Sequence, residues 1–200
     1  MLRTERLVVT TWLPDDLDDL HRLHSDAIAM RYLGGRTETR AESEARLVRY
    51  LDEQSSQGWT KWRVESSSGA FVGRAGFGVW DEDRELGYAL ASRWWGDGLA
   101  TEVATALVDW HRRHPVPRTS ERGGSMDLWG FADVDNTASV RVLAKAGLTF
   151  VETRPLYGST CVFFRWVEPS DVAGGDGVIA ESGSAASESG VSKDRQEYDW

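Results

Sequence analysis

The sequence predicts an α/β (α+β) domain in which a mixed, mostly antiparallel twisted sheet of about seven strands is flanked by about four helices. Strand-like runs of β-branched and aromatic residues outnumber the amphipathic helical runs. Three consecutive strands are separated only by short polar turns at 66–69 and 81–83, which is typical of an antiparallel meander. The hydrophobic fraction, 40% of 200 residues, is enough for one buried core.

The N-terminal part of the chain predicts one strand followed by two helices. The β-branched run RLVVTTW at 6–12 predicts the strand. Pro14 and the two aspartates after it predict the start of the first helix, because proline and acidic side chains favour the first turn. The second helix is predicted over 38–57. Its buried stripe is predicted to be Ala45, Val48 and Leu51.

The rest of the chain alternates strands and helices. Helices are predicted over 96–113 and 136–146, the second with Asn136 as its N-cap. The polar segment 118–124 is predicted to be a loop. The predicted strands are 59–65, 70–80, 84–91, 126–131, 148–153 and 160–167.

Charge and composition divide the chain into a body and a tail. The formal net charge is −9, and residues 170–200 hold seven acids and two bases, so residues 1–169 carry about −4. The tail is rich in Gly, Ser and acids and is predicted to be disordered, whereas residues 1–169 form the domain. An acidic body argues against nucleic acid as a partner. It fits a cationic acceptor, although solubility alone explains it equally well.

A reducing, cytoplasmic location is predicted. Cys161 is the single cysteine, so no disulfide forms within the chain. The first six residues have no apolar segment behind their charges, which excludes a signal peptide. No apolar run approaches membrane-spanning length, and no membrane partner is expected.

The segment 84–113 combines a strand, a loop with Gly96 and Gly98, and a helix. Glycines let the backbone approach a ligand closely, and the first amides of a helix have no internal partners. Together they suit a diphosphate, although a plain turn with a helix cap fits the same residues. A Rossmann site is excluded because the third glycine is absent and a meander precedes the loop. A P-loop is excluded because no Gly-Lys-Ser/Thr follows.

Four motifs occur in a fixed order along the chain. They are TERLVV at 4–9, GRAGF at 73–77, ELGYAL through WGDGLATE at 85–102, and NTASVRVLAKAGL at 136–148. This set resembles the GNAT acetyltransferase superfamily, specifically the branch of the ribosomal-protein N-terminal acetyltransferases RimJ and RimL. The resemblance covers about residues 3–167. It implies the GNAT fold, acetyl-CoA as acyl donor, no metal, and transfer to a small-molecule amine or a protein N-terminus.

The resemblance implies a donor site at the splayed end of the fourth strand, the loop after it and the late helix. Trp95 fills the first position of the loop pattern Gln/Arg-x-x-Gly-x-Gly/Ala; a literal match begins at Arg93, but the later frame leads straight into the helix. Asp97 stands where Lys or Arg is common, so a modest donor affinity is expected. The predicted donor-binding residues are Ala89, Leu90, Ala91, Trp95, Gly96, Asp97, Gly98, Leu99, Ala100, Thr101, Asn136, Ser139 and Arg141.

The implied chemistry is direct attack of a neutral amine on the thioester, which needs a base, an oxyanion donor and an acid. Glu85 is predicted to be the base, with a solvent-exposed strand-end carboxylate as the alternative. The family's Tyr acid aligns with Leu143, which cannot donate a proton. Ser139 is therefore the candidate acid, or else an ordinary local hydrogen-bonder. The small side chains at Gly87 and Ala89 are predicted to leave room for pantetheine or acceptor.

The acceptor site is predicted less firmly. Asp133 is expected to hold a cationic acceptor or to be a plain loop acid before a helix. Glu102 is expected to have a structural role, and the segment 155–158 is a candidate homodimer contact. The aromatic candidates, which would look the same as core residues, are Tyr32, Trp62 and Trp80.

Two other functions remain open. A GNAT-like module that binds acyl-CoA without turnover would explain Leu143 and Asp97. Use of another acyl-CoA as donor would require additional basic residues near the acyl group.

Overall fold

The computed structural model describes residues 2–117, 124–156 and 158–166. The predicted tail at 170–200 and residues 118–123 of the predicted polar loop lie outside this range, as does Tyr157 in the predicted dimer contact.

Eight strands form one mixed sheet in the described part of the chain. The strand order is β1-β2-β3-β4-β5-β6-β8-β7, and all neighbours are antiparallel except the parallel pair β5 and β6. This confirms the predicted mixed, mostly antiparallel sheet, with β1 as an eighth strand that is too short to show periodicity. The bounds are β1 Leu2–Arg3, β2 Leu7–Thr10, β3 Lys61–Ser66, β4 Phe71–Trp80, β5 Asp83–Leu90, β6 Leu128–Asp133, β7 Thr149–Leu156 and β8 Ser159–Trp166.

The four predicted helices are present, and a one-turn helix joins them. This additional helix, α2, begins after Asp26, whose side chain accepts a hydrogen bond from the Ile28 N–H at 2.9 Å. None of the described helices is long and apolar enough to cross a membrane. The bounds are α1 Leu17–His24, α2 Ala27–Met30, α3 Arg40–Ser56, α4 Leu99–Arg113 and α5 Thr137–Lys145, with single 3₁₀ turns at Pro14–Asp16 and Ser92–Trp94.

The buried side of α3 differs from the prediction. The stripe predicted above is Ala45, Val48 and Leu51. Leu51 packs against the core as predicted, but Ala45 and Val48 do not: both are exposed, Val48 at 53%, and the buried residues are Ser43, Leu47 and Tyr50. Two contacts favour this orientation. Tyr50 stacks on Trp12 with 6.0 Å between ring centroids, and the Ser43 hydroxyl donates to the Glu38 carboxylate.

The two faces of the sheet carry different cores. On the first, called the α4 face, α4 and α5 pack on an apolar layer that includes Phe77, Leu86 and Val103. On the second, called the α1 face, α1, α2 and α3 pack on a smaller apolar cluster around Trp12 and Phe71. Charged side chains are buried beside this second cluster, on β3 and β4: Lys61, Arg63 and Arg74.

Candidate active site

A gap opens between the parallel strands β5 and β6. They pair only through Arg84 with Leu128 and Glu85 with Trp129, whereas β5 stays paired with β4 to its end. Successive N–H groups in a strand point to opposite sides. Because Arg84 N–H donates toward β6 at 3.1 Å, the N–H groups of Tyr88 and Leu90 point the same way, into the gap.

This geometry narrows the choice of the oxyanion-stabilising amide, which the resemblance put at 89–91. Ala91 N–H points to the other side of the strand and donates to the carbonyl of Val72 on β4 at 2.9 Å. Ala89 has the same orientation by alternation. Of the three predicted residues, only Leu90 has an N–H that points into the gap. The N–H of Tyr88 points into it as well.

The N-terminus of α4 lies next to the gap and carries free amides. Gly98 caps the helix in the left-handed region at φ +77°, and its carbonyl accepts the first intrahelical bond from Glu102 N–H at 3.0 Å. The amides of 99–101 therefore have no intrahelical partner, and they have none elsewhere in the described residues. Added to the positive end of the helix dipole, they form a cradle for an anion.

Arg6 and Glu102 fix this cradle to the N-terminal strand. Arg6 Nε donates to Glu102 Oε2 at 2.7 Å, and Arg6 Nη1 donates to the carbonyl of Asp97 at 2.8 Å. The Thr4 hydroxyl also donates to Glu102. Glu102 thus has structural contacts, as expected. Arg6, which the sequence analysis did not single out, places a cation beside the loop where Asp97 is exposed.

The other predicted donor contacts divide into two groups. Trp95 is 45% exposed, and its Nε1–H donates to the carbonyl of Leu90 at 2.8 Å, which holds the loop against the strand end. Asn136 caps α5 by accepting from Ser139 N–H at 3.2 Å, and both residues line the central cavity. Arg141, by contrast, is exposed on α5 and lies outside this cavity.

A cavity of about 290 Å³ passes through the gap and reaches both faces of the sheet. Its walls on the α4 face include Leu86, Tyr88 and Leu143. On the α1 face, strands β3, β4 and β5 contribute the charged side chains of Lys61, Arg74 and Glu85. A single chamber thus connects the free amide of Tyr88 to a buried carboxylate.

Glu85 forms a buried ion pair with Lys61. The two charged groups lie 3.1 Å apart, and their side chains are 13% and 4% exposed. The alternative of a solvent-exposed carboxylate is therefore wrong. Burial lowers the pKa of Lys61 to about 8, although the Glu85 carboxylate acts in the opposite direction.

The space predicted for pantetheine or acceptor above Gly87 is occupied. A Cβ at Gly87 would lie 2.7 Å from Lys61 Cε, and one at Gly78 would lie 3.0 Å from Glu85 Oε2. The small residues of β4 and β5 therefore make room for the Lys61 side chain, which comes from the neighbouring strand β3.

Tyr88 is a hydrogen-bond donor in the cavity lining that the sequence analysis did not single out. Its phenol lines the cavity and donates to the backbone carbonyl of Ser139 at 3.4 Å. Burial raises its pKa to about 12, so the phenol stays protonated at neutral pH. The alternation of side chains along β5 could have identified Tyr88, because it lies on the same side as Leu86 and Leu90, next to the end where β5 separates from β6.

The structure brings together two of the four predicted acceptor residues. Tyr32 and Asp133 line the cavity. Asp133 accepts from Asp135 N–H at 2.8 Å and from the Ser159 hydroxyl. Trp62 and Trp80 lie outside it. Trp62 is 9% exposed in the α4-face core, edge-on to Phe77, and Trp80 packs on Phe131 with 5.0 Å between ring centroids.

Comparison with protein families agrees with this geometry. Residues 6–149 match the family described as "Acetyltransferase (GNAT) domain". The chain belongs to the GNAT acetyltransferase family. This confirms the family suggested by the four ordered motifs.

Several GNAT relatives resemble the chain. A curated protein from Bacillus licheniformis, "Uncharacterized N-acetyltransferase p20", is 25% identical over 114 residues, which are 54% of this chain and 64% of that protein. A Salmonella typhimurium acetyl transferase that modifies the N-terminal serine of ribosomal protein L7/L12 has 16% identity and a TM-score of 0.66, covering 82% and 96% of the two chains. AAC(6')-Ib, solved with paromomycin and acetyl-CoA, has 16% identity and a TM-score of 0.67, covering 87% and 100%. The two structures establish the shared fold.

Proposed function

We propose that this protein is an acetyl-CoA-dependent N-acetyltransferase in which a primary amine attacks the thioester directly. The observation that carries the proposal is the single chamber through the β5–β6 gap. It joins the backbone N–H of Tyr88 to the Glu85 carboxylate on the opposite face of the sheet, and the N–H of Leu90 points into the same gap.

The donor fits the α4 face through backbone groups. The amides of 99–101 would hold the diphosphate at the helix N-terminus, and Arg6 adds a positive charge nearby. Asn136 lines the chamber at the start of α5, where it would face the pantetheine arm. Acetyl-CoA supplies the acyl thioester. The N–H of Tyr88 or Leu90 would then stabilise the negative charge that develops on the carbonyl oxygen.

Glu85 would receive the proton released by the attacking amine, directly or through a water. The Lys61 ammonium, 3.1 Å from Glu85, disfavours a second positive charge and so favours the neutral amine that can attack. Tyr88 would protonate the leaving thiolate, which replaces the role first considered for Ser139. The Ser139 carbonyl would orient the Tyr88 phenol.

The relatives support an amine acceptor without fixing which one. One solved relative modifies a protein N-terminus, and another was solved with paromomycin. We place the chain in the RimJ/RimL-like branch because of its four motifs, and the single cysteine supports a cytoplasmic location. The predicted homodimer remains a proposal.

Thiol release from acetyl-CoA tests this function. The protein is mixed with acetyl-CoA and a panel of small amines, amino acids and peptides, and free CoA is followed with a thiol reagent. Amine-dependent release and a mass gain of one acetyl group on the acceptor are expected. CoA binding by calorimetry without release across the whole panel would favour the binding module instead.

A further inference from the structure

Arg74 is a buried cation without a counter-ion. It is 0% exposed, and no carboxylate of the described residues lies within ion-pair distance of its guanidinium. Its Nε–H donates to Nε2 of His24 at 3.0 Å. Nη2 is buried and has no hydrogen-bond partner among the described residues. A buried guanidinium without a counter-ion and with an unbonded N–H lowers the stability of the folded protein.

The groups around Arg74 do not neutralise it. Burial lowers the pKa of His24 to about 4, so the imidazole is neutral at physiological pH. Glu38, whose carboxylate lies 3.1 Å from His24 Nδ1, is already engaged by Arg46 at 2.8 Å. Glu85, which lines the same chamber, forms its ion pair with Lys61.

Arg63, the cross-strand partner of Arg74, shows how the same sheet satisfies an arginine that has a structural role. Its guanidinium lies 2.7 Å from Asp19, 2.9 Å from Glu65 and 3.4 Å from Asp16. Arg63 does not line the chamber, whereas Arg74 does. Arg63 Nη1 and Arg84 Nε are also buried without a hydrogen bond, but three carboxylates surround Arg63 and aromatic rings enclose Arg84. Among the described residues, Arg74 has neither kind of neighbour, and it is the one of the three that lines the chamber.

The register places Arg74 at a defined distance from the base. Glu85 is opposite Gly78 of β4, Lys61 is opposite Gly76, and Arg74 follows two residues further along the same side. Gly78, which is opposite Glu85, and Arg74 are four residues apart on β4, so their backbones are about 13 Å apart. The long side chains of Arg74 and Glu85 reduce the distance between the two charged groups. Strands β3, β4 and β5 thus contribute two cations and one carboxylate to the chamber, which Arg31 and Asp133 also line.

We infer that the acceptor is a primary amine that also carries an anionic group, a carboxylate or a phosphate, which binds Arg74 while the amine reaches Glu85. The inference rests on the proposed N-acetyltransferase function. The planar guanidinium offers parallel donors that match either anion, and the ligand would provide the missing counter-charge. A protein N-terminus fits poorly, because its chain would have to continue past this wall.

Matched acceptors test the inference. Initial rates are compared for γ-aminobutyrate against butylamine, and for phosphoethanolamine against ethanolamine, at saturating acetyl-CoA. At least one anionic amine is expected to have a kcat/KM about tenfold or more above its neutral match, the effect of one charge-assisted bond. The two pairs distinguish a carboxylate from a phosphate.

Variants locate the effect. Arg74→Gln is expected to remove the anionic preference and leave the CoA affinity unchanged, and Arg74→Lys should restore part of it. Arg63→Gln, on the same face but outside the chamber, is the control and should keep the preference. Thermal unfolding verifies that each variant folds.

Two outcomes separate the inference from the function on which it rests. Equal turnover of neutral and anionic amines by the unchanged protein would overturn the inference and leave the acetyltransferase function standing. No turnover of any amine would overturn both.

Discussion

The two faces of the sheet each bury an arginine next to a neutral histidine, and the two arginines differ in what surrounds them. On the α4 face, Arg84 lies 3.3 Å from His111 and donates to the carbonyl of His114 at 2.7 Å. Three aromatic rings also contact its guanidinium at 5.0–5.3 Å. On the α1 face, the one hydrogen bond of the Arg74 guanidinium within the described residues is to His24. In this part of the chain, both guanidinium groups keep one unbonded nitrogen, Nε in Arg84 and Nη2 in Arg74, so the difference is that rings enclose Arg84 whereas Arg74 lines a chamber where a ligand can bind.

The same contrast extends to the whole site. The α4 face carries the backbone amides that are proposed to bind acetyl-CoA. A glycine cap and the start of a helix are enough to leave these amides free. The α1 face carries the side chains proposed to bind the amine substrate, which come from three strands: Lys61, Arg74 and Glu85. Changes on one face should therefore alter donor binding, and changes on the other should alter turnover and acceptor choice.

The largest effect is expected at the helix start. Gly98→Asp places a carboxylate at the diphosphate cradle, and repulsion at this distance should weaken CoA binding by at least about a hundredfold. Calorimetry with CoA measures it. Gly98→Asn imposes a similar backbone strain without charge and should retain more affinity. Near-normal affinity of the Asp variant would contradict the placement of the cradle.

Next in size is the loss of the base on the opposite face. Glu85→Gln should lower kcat by about 10²- to 10³-fold at neutral pH, because the amine loses its proton acceptor. The CoA dissociation constant should stay within about threefold, since the donor binds mainly through backbone amides. Unchanged turnover would remove Glu85 from the mechanism.

Stability measurements test the two arginines directly. Arg84→Met removes a hydrogen bond and several ring contacts and should lower the free energy of unfolding by about 2 kcal/mol. Arg74→Met removes an uncompensated charge and should change it by less than about 1 kcal/mol. Urea unfolding at pH 7 gives both values. The reverse order would contradict the distinction between the two surroundings.

The buried histidines on both faces should make the stability of the protein depend on pH. Burial lowers the pKa of His24 and of His111 to about 4, so unfolding adds protons to them between pH 4 and 6.5. Stability from this source is present above pH 6.5 and is lost as the pH falls toward 4, by a few kcal/mol at most for each residue. His24→Gln should flatten the urea-midpoint profile in this window. A profile as steep as that of the unchanged protein would show that His24 is already charged when folded.

The smallest effect is expected at the edge of the cradle. Arg6→Ala removes an exposed cation near the loop and should weaken CoA binding by about two- to fivefold at low salt. The difference should shrink at high salt because the charge is screened. Arg3→Ala, on the preceding strand, is the control and should bind normally.

The sequence predicted local features better than those that depend on pairing between strands. The glycine loop, the Asn136 cap and the order of strands follow from neighbouring residues. The Lys61–Glu85 pair does not, because its members come from strands β3 and β5. Trp62 was assigned to the acceptor site because composition cannot tell which face of a strand borders a chamber.

The position of Lys61 across Gly78 and Gly87 restricts how this enzyme family member can change its substrate. A single added methyl at Gly87 would collide with the Lys61 side chain and disturb its partner Glu85. The floor of the chamber therefore tolerates little variation. Evolution or engineering of new acceptor preferences is directed to the border at 31–35, which lines the chamber and lies outside the strands.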